Sequence, residues 1–188
     1  THTPTPGPTN TPNPSGFPST NVLDNFNRAN GVLGSNWNGT TGGYAIASNR
    51  LDVGSGSDVY WSASSFGAEQ EVFVTLSNID TSATEIDLLL KSQSATNWGN
   101  GILEVWYDAA NHRAQVWSYA PSQGWSQRGA DIPVTLVNGD QFGAKATATG
   151  QVSVYHNGNL MGTRDVSAWP FATGGGYIGL WFVDASNS

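Results

Sequence analysis

The sequence predicts an all-β fold, a two-sheet antiparallel β-sandwich of jelly-roll type preceded by an extended Thr/Pro-rich arm. Three observations carry that expectation. The first twenty residues hold six of the nine prolines and eight Ser or Thr, with no charged residue. The rest of the 188-residue chain is rich in turn formers and strand formers together, with 23 Gly, 8 Trp, 7 Phe and 6 Tyr. Short runs alternate apolar with polar residues, and no window of a dozen residues follows a helical period.

The arm, residues 1–20, cannot be helical, because proline lacks the amide N–H and locks φ. It is expected to run as polyproline II at ~3.1 Å per residue, a reach on the order of 60 Å. Such composition buries almost nothing of its own and commonly spaces domains outside the cell, with sugars on its hydroxyls. Thr1, Thr3, Thr5, Thr9 and Thr11 are the candidate acceptors, and Asn38-Gly39-Thr40 adds a candidate N-linked site at Asn38. The chain opens on Thr rather than Met, so an upstream segment such as a secretion signal is expected to precede it.

Residues 21–188 form the expected domain, long enough for a full core. Alternation starts at Val22. It places Val72, Val74 and Leu76 on one face of a strand, then Ile86, Leu88 and Leu90, then Leu103, Val105 and Tyr107. Ala114 and Val116 alternate against Gln115, Trp117 and Tyr119. Further strands are expected at Phe142–Ala148 and Val152–Tyr155, joined through Gly150, and at Tyr177–Val183. Asn157-Gly158 between apolar flanks is the strongest hairpin signal, since both central residues of a type I′ turn need positive φ. Ten to twelve short strands are expected, which is enough for two packed sheets.

Composition removes several function classes. Fourteen acids against seven bases give a formal charge of −7, and the bases are scattered, so nucleic acid is not an expected partner. No apolar run approaches ~18 residues, so no membrane-spanning helix is expected. The chain has no cysteine, which excludes disulfides, thiolate metal sites and cysteine nucleophiles.

Asp24-Asn25-Phe26-Asn27-Arg28 followed by Leu33-Gly34-Ser35-Asn36-Trp37 resembles the opening of concanavalin A-like, laminin-G-like jelly rolls of bacterial secreted and surface proteins. Val152–Gly158 and Gly176–Leu180 resemble their closing hairpin and penultimate strand. That fold hosts lectins, carbohydrate-binding modules, glucanases and adhesive domains. The resemblance implies one more short strand after Val183; either the chain is part of something longer, or a sheet edge is expected to be unpaired and able to pair with another chain.

The resemblance also frames the catalytic question. Glucanases of this fold carry a Glu-x-Asp-x-Glu strand whose outer carboxylates act as nucleophile and acid/base about 5–5.5 Å apart. Here Glu85-Ile86-Asp87 is followed by Leu88, Leu89 and Leu90, so the second glutamate is missing. Glu85 and Asp87 are therefore expected on the solvent face of an amphipathic strand, and no enzyme is expected. His2, His112 and His156 show neither triad order nor metal spacing, and Gly174-Gly175-Gly176 is a turn rather than a phosphate loop. Related sandwiches often hold one calcium ion; Asp24, Asn27, Asp80 and Asp184 are the candidate ligands, against a role as turn formers. No other cofactor is expected.

Trp98, Trp106, Trp117, Tyr119 and Trp125, with Glu104 and Gln127, are expected to gather on one partly exposed face. Three readings of that cluster stand side by side: cross-strand packing, a protein contact, or a platform on which pyranose faces stack. Trp37, Trp61, Trp169 and Trp181 are assigned to core and corner packing.

Two functions are expected to compete, both extracellular or at the cell surface. In the first, the chain is a non-enzymatic subunit of a self-assembling fibre or layer. Pro4, Pro6, Pro8, Pro12, Pro14, Phe17 and Pro18 of the arm then lie on neighbouring copies. In the second, it is a carbohydrate-binding module on a glycosylated tether.

Overall fold

The computed structural model describes residues 16–183 and 185. Thr1–Ser15, Asp184 and 186–188 lie outside the described residues, and with them the expectations for Pro4, Pro6, Pro8, Pro12, Pro14, the five threonines and Asp184.

In chain order the strands are β1 (Trp37–Gly39), β2 (Tyr44–Ala47), β3 (Arg50–Val53), β4 (Ser57–Trp61), β5 (Gln70–Thr75), β6 (Glu85–Ser92) and β7 (Ile102–Asp108). They continue with β8 (Arg113–Ala120), β9 (Gly124–Gln127), β10 (Ile132–Pro133), β11 (Gln141–Ala146), β12 (Gln151–His156), β13 (Asn159–Asp165) and β14 (Tyr177–Val183). The larger sheet runs β1-β4-β14-β6-β7-β8-β10, with β9 also paired to β8; the smaller runs β13-β12-β11-β5, and β2-β3 is a separate hairpin. Every pairing within these sheets is antiparallel.

The two sheets bury one core between them. Ile86, Leu88 and Leu90 of β6, Leu103 and Val105 of β7, and Val116 of β8 meet Val72 of β5, Phe142 and Ala144 of β11, and Val152 and Val154 of β12. Each large aliphatic side chain removed from water in this way contributes about 1.5–3 kcal/mol. The expected alternation is thus realised, and Asn157-Gly158 closes the β12–β13 hairpin with φ of 50° and 79°.

Three differences from the expectation have local causes. Fourteen strands form where ten to twelve were expected, because the short pieces β1, β2, β3, β9 and β10 carry too few residues for a periodic signal. No strand forms between Val22 and Asn36. There the Asp24 carboxylate accepts hydrogen bonds from the Phe26 amide (2.8 Å), the Trp37 indole (2.9 Å) and Arg28 (2.7 Å), which folds the segment into turns. The last described strand, β14, is no edge, since it lies between β4 and β6.

The described end of the arm rests on its own domain. Phe17, next to a cis Phe17–Pro18 peptide, is 5% exposed. It stacks on Tyr155 (centroids 4.0 Å apart, planes at 5°) and meets Phe73 edge-on. Gly143 makes room for the ring, as a Cβ there would lie 2.1 Å from it. Ser19 and Thr20 donate to the Glu71 carboxylate, which also meets Lys145 at 3.3 Å. The expectation that Phe17 and Pro18 lie on a neighbouring copy is corrected for Phe17: the smaller sheet of the same chain already covers its ring, because Phe73, Tyr155 and Gly143 form a matching apolar seat.

Candidate functional site

The larger sheet turns its second face away from the core, and there the aromatic and acidic residues collect. Period two dictates this: with Ile86, Leu88 and Leu90 inward, Glu85, Asp87 and Leu89 point outward. Cross-strand register then builds two rows. One runs Asp58 (β4), Trp181 (β14), Asp87 (β6), Trp106 (β7), Gln115 (β8). The other runs Tyr60, Gly179, Leu89, Glu104, Trp117, Gln127.

The expected aromatic cluster does assemble on this face. Trp106 and Trp117 stack with centroids 5.4 Å apart and planes at 16°. Trp98, held on a short 3₁₀ turn (Trp98–Asn100), packs edge-on against Tyr119 at 4.8 Å and lies 5.5 Å from Trp125. Trp181 joins Trp98 at 6.2 Å. The Trp117 ring is fixed from behind: its Nε1 donates to Gln115 Oε1 (3.0 Å). The Gln115 and Gln127 amides in turn donate to Asp131, which Arg113 holds at 2.7 Å. Glu85, Glu104, Trp106, Trp117, Trp125 and Trp181 enclose an open cavity of about 240 Å³.

Glu85 and Glu104 bring carboxyl groups to this cavity and Asp87 lies on the same sheet face, where two expectations are corrected. Asp87 is fully buried, not on a solvent face, because Trp181 and Trp106 flank it on the neighbouring strands. Glu104 is 5% exposed rather than on a partly exposed surface, wedged between Leu89 and Trp117 on the neighbouring strands. Both Asp87 carboxyl oxygens, Glu104 Oε1 and Trp106 Nε1 are buried without a hydrogen-bond partner among the described residues. Burial pushes both carboxyls well above the usual carboxylate range; the charges of Glu104 and Glu85 add to it at Asp87, and those of Glu85 and Asp58 at Glu104. Tyr60 donates to Asp58 at 2.8 Å, and burial first, then that bond, raises its phenol.

Sequence reasoning missed Trp181, Tyr60 and Asp58. Trp181 sits in an almost wholly apolar run, Tyr177–Val183, where alternation is masked because aromatic residues occupy both faces. Trp169, by contrast, is core as expected, 1% exposed with its Nε1 on Tyr119 O, and Trp37 and Trp61 pair edge-on at 5.7 Å against the core.

The other candidates are dispersed. Asp24 is committed to Arg28 and Trp37, Asp80 to Ser82, and Asn27 is exposed in a turn. Among the described residues no group of three or more His, Cys, Asp or Glu is placed to hold a metal ion. Asn38 is exposed on β1, its Oδ1 accepting from the Gly39 amide. His112 occupies a turn at φ 54°, and His156 contacts Asp140 at 2.9 Å. No helix among the described residues is long and apolar enough to cross a membrane.

No protein-family model and no curated protein sequence matches the chain. Solved structures do match it. The carbohydrate-binding module CBM66 from Bacillus subtilis superposes with a TM-score of 0.52 at 17% identity, over 82% of this chain and 96% of that one. LamAcat from Zobellia galactanivorans gives 0.57 at 11% identity, over 87% of each. A glycoside hydrolase family 16 endo-glucanase from Bacteroides ovatus gives 0.51 at 12% identity, over 74% of this chain and 64% of the other. At these identities the likeness establishes the fold, a jelly-roll β-sandwich.

Proposed function

We propose that this chain is a carbohydrate-binding module whose ligand lies in the cleft on the outer face of the larger sheet. The observation that carries the reading is the stacked Trp106–Trp117 pair beside buried polar groups with no partner among the described residues. Pyranose rings present C–H-rich faces to indole, and their hydroxyls need both donors and acceptors. Trp106 Nε1 supplies a donor and the Glu104 carboxyl an acceptor. Glu85 and Glu104 bring carboxyl groups to the wall of the same cavity as the indoles. The Asp131–Gln115–Trp117 relay pre-orients one ring, which lowers the ordering cost of binding.

The reading is one of binding rather than hydrolysis. Leu89 occupies the outward position after Asp87 on β6, and the carboxylate opposite it, Glu104, is wedged beside Trp117. The composition of the Thr/Pro-rich arm supports an extracellular setting, with the arm as a tether bearing sugars on its threonines. The fibre-subunit reading draws no support from the described arm residues, because the Phe17 ring is engaged by its own domain.

The test is binding of a panel of neutral and charged oligosaccharides by calorimetry, with reducing ends assayed in parallel. Trp106→Ala and Trp117→Ala should weaken retention by about tenfold or more while leaving the thermal unfolding transition cooperative. Undiminished binding by both variants would move the ligand elsewhere on the domain, and release of new reducing ends would make the chain an enzyme.

A further inference from the structure

We propose that the cleft selects sugars carrying a free amine, the ammonium group seated against the indole faces of Trp106, Trp117, Trp125 and Trp181 and beside the carboxyl groups of Glu85 and Glu104. This rests on the glycan-binding reading and names the class of sugar that the same site takes.

Charge is the first argument. Two of the six residues lining the cavity are acidic and none is basic. Glu85 of β6 and Glu104 of β7 line it with the four indoles; the same sheet face also carries Asp58, Tyr60 and Asp87, and Arg113 at the start of β8, whose charge is met by Asp108 and Asp131. Six of the chain's seven bases already have partners. Arg113 pairs with Asp108 and Asp131, Arg28 with Asp24, and Lys145 with Glu71. Lys91 donates to the Thr147 and Ala172 carbonyls, Arg128 to Ser118, and Arg164 to the Ala130 carbonyl; Arg50 lies exposed on the β2–β3 hairpin. Uronic acids and sulfated sugars meet like charge here, and a cation meets opposite charge.

The second argument is the walls. Indole is the best of the aromatic faces for a cation, and four of them converge on one cavity. Hydroxyls and N-acetyl groups gain nothing comparable from the ring quadrupole.

The third is hydrogen bonding. Glu104 lines the cavity with its Oε1 buried and without a partner among the described residues, and Asp87 lies fully buried on the neighbouring strand. An ammonium brings three donors and no acceptor, which complements a site of acceptors. An ammonium beside the Glu104 carboxyl favours its ionised form and donates a charge-assisted hydrogen bond to it, roughly twice as strong as a neutral bond. Binding therefore displaces a proton from the carboxyl group to solvent, and no covalent bond changes.

The experiment is calorimetry on the intact chain at pH 6 with β-linked glucosamine oligosaccharides, their N-acetylated counterparts and neutral gluco-oligosaccharides of equal length. Each titration is run in two buffers of different ionisation enthalpy. Glucosamine oligomers should bind about tenfold or more tighter than the other two and release more protons to the buffer than they do. Glu104→Gln should abolish the preference and the proton release; Glu85→Gln, a less buried change, should halve the preference or more and keeps the test open if Glu104→Gln does not fold. Equal or tighter binding of neutral or acetylated oligomers, still lost in Trp106→Ala, overturns the amine selectivity and leaves the glycan-binding reading standing. A preference that persists in both glutamine variants overturns it equally. Failure of all three ligands to bind removes both readings.

Discussion

Replacing Asp87 by Asn should make the domain more stable at neutral pH than the native chain, by an amount that depends on pH. The Asp87 carboxyl is fully buried, has no hydrogen-bond partner among the described residues and lies close to Glu104 and Glu85. Its folded-state pKa is therefore well above the ~3.9 of an unfolded aspartate. Below that unfolded value both states hold the proton and the group is neutral to stability. As pH rises above it the unfolded chain loses its proton while the folded one keeps it. Folding stability then falls by about 1.4 kcal/mol per pH unit until the folded-state value is passed. Glu104 behaves in the same way, so the native chain should lose up to about 2.7 kcal/mol per pH unit where both carboxyls stay protonated, and Asp87→Asn should halve that slope. The amide is nearly isosteric and meets the same unpaired surroundings, so any offset it brings, about 1–3 kcal/mol at most, is independent of pH. Urea unfolding from pH 4 to pH 8 reads the difference directly, through midpoints at constant m-value. The two proteins should differ by a constant offset near pH 4 and separate in the variant's favour above it, until the folded-state value of Asp87 is passed. A difference that stays flat across the range would show that Asp87 ionises as an ordinary surface aspartate, and the account of its burial would fall with it.

Further outcomes follow from other parts of the fold. Phe17→Ala should cost about 2–3 kcal/mol in urea unfolding, because it removes an almost fully buried ring stacked on Tyr155; an unchanged midpoint would mean the arm end does not hold to the sheet in solution. Gly56→Ala should destabilise by on the order of 3 kcal/mol or more, since φ is +67° and a Cβ would lie 1.9 Å from the Phe182 carbonyl oxygen. Gly124→Ala, at φ +68° with nothing within 4 Å, should cost only the backbone term of about 1–2 kcal/mol, and the contrast is read by thermal unfolding. The Ser19 amide should lose hydrogen-exchange protection as pH falls through the Glu71 titration. Burial raises that carboxyl, but bonds from Ser19 and Lys145 outweigh it and hold it below its usual range, so its contribution is present above the unfolded value and is lost in acid. Protection that shows no loss at any pH down to the acid unfolding of the domain would refute the anchor.

Much of the architecture was legible in residue order alone. Period-two alternation in Gln70–Thr75, Glu85–Ser92, Ile102–Asp108 and Arg113–Ala120 assigns each side chain to the core or to the outer face. The grouping of Trp106 with Trp117 follows from those strands being neighbours. Alternation also put Glu85 and Asp87 on the outer face, and that much was right. It could not tell an outer face from a wet one.

What the sequence determined by itself is therefore the fold class, the hairpin at Asn157-Gly158 and the pairing of Trp106 with Trp117, because each depends on local periodicity or on residues close in the chain. Only the tertiary structure brought β14 between β4 and β6, setting Trp181 beside Asp87 across a gap of ninety-odd positions. It likewise closed the indoles over two carboxyl groups and seated Phe17 above Gly143. Burial and the pKa of a carboxyl are set by the low-dielectric neighbours that distant strands supply, and no local pattern encodes how many of those neighbours arrive.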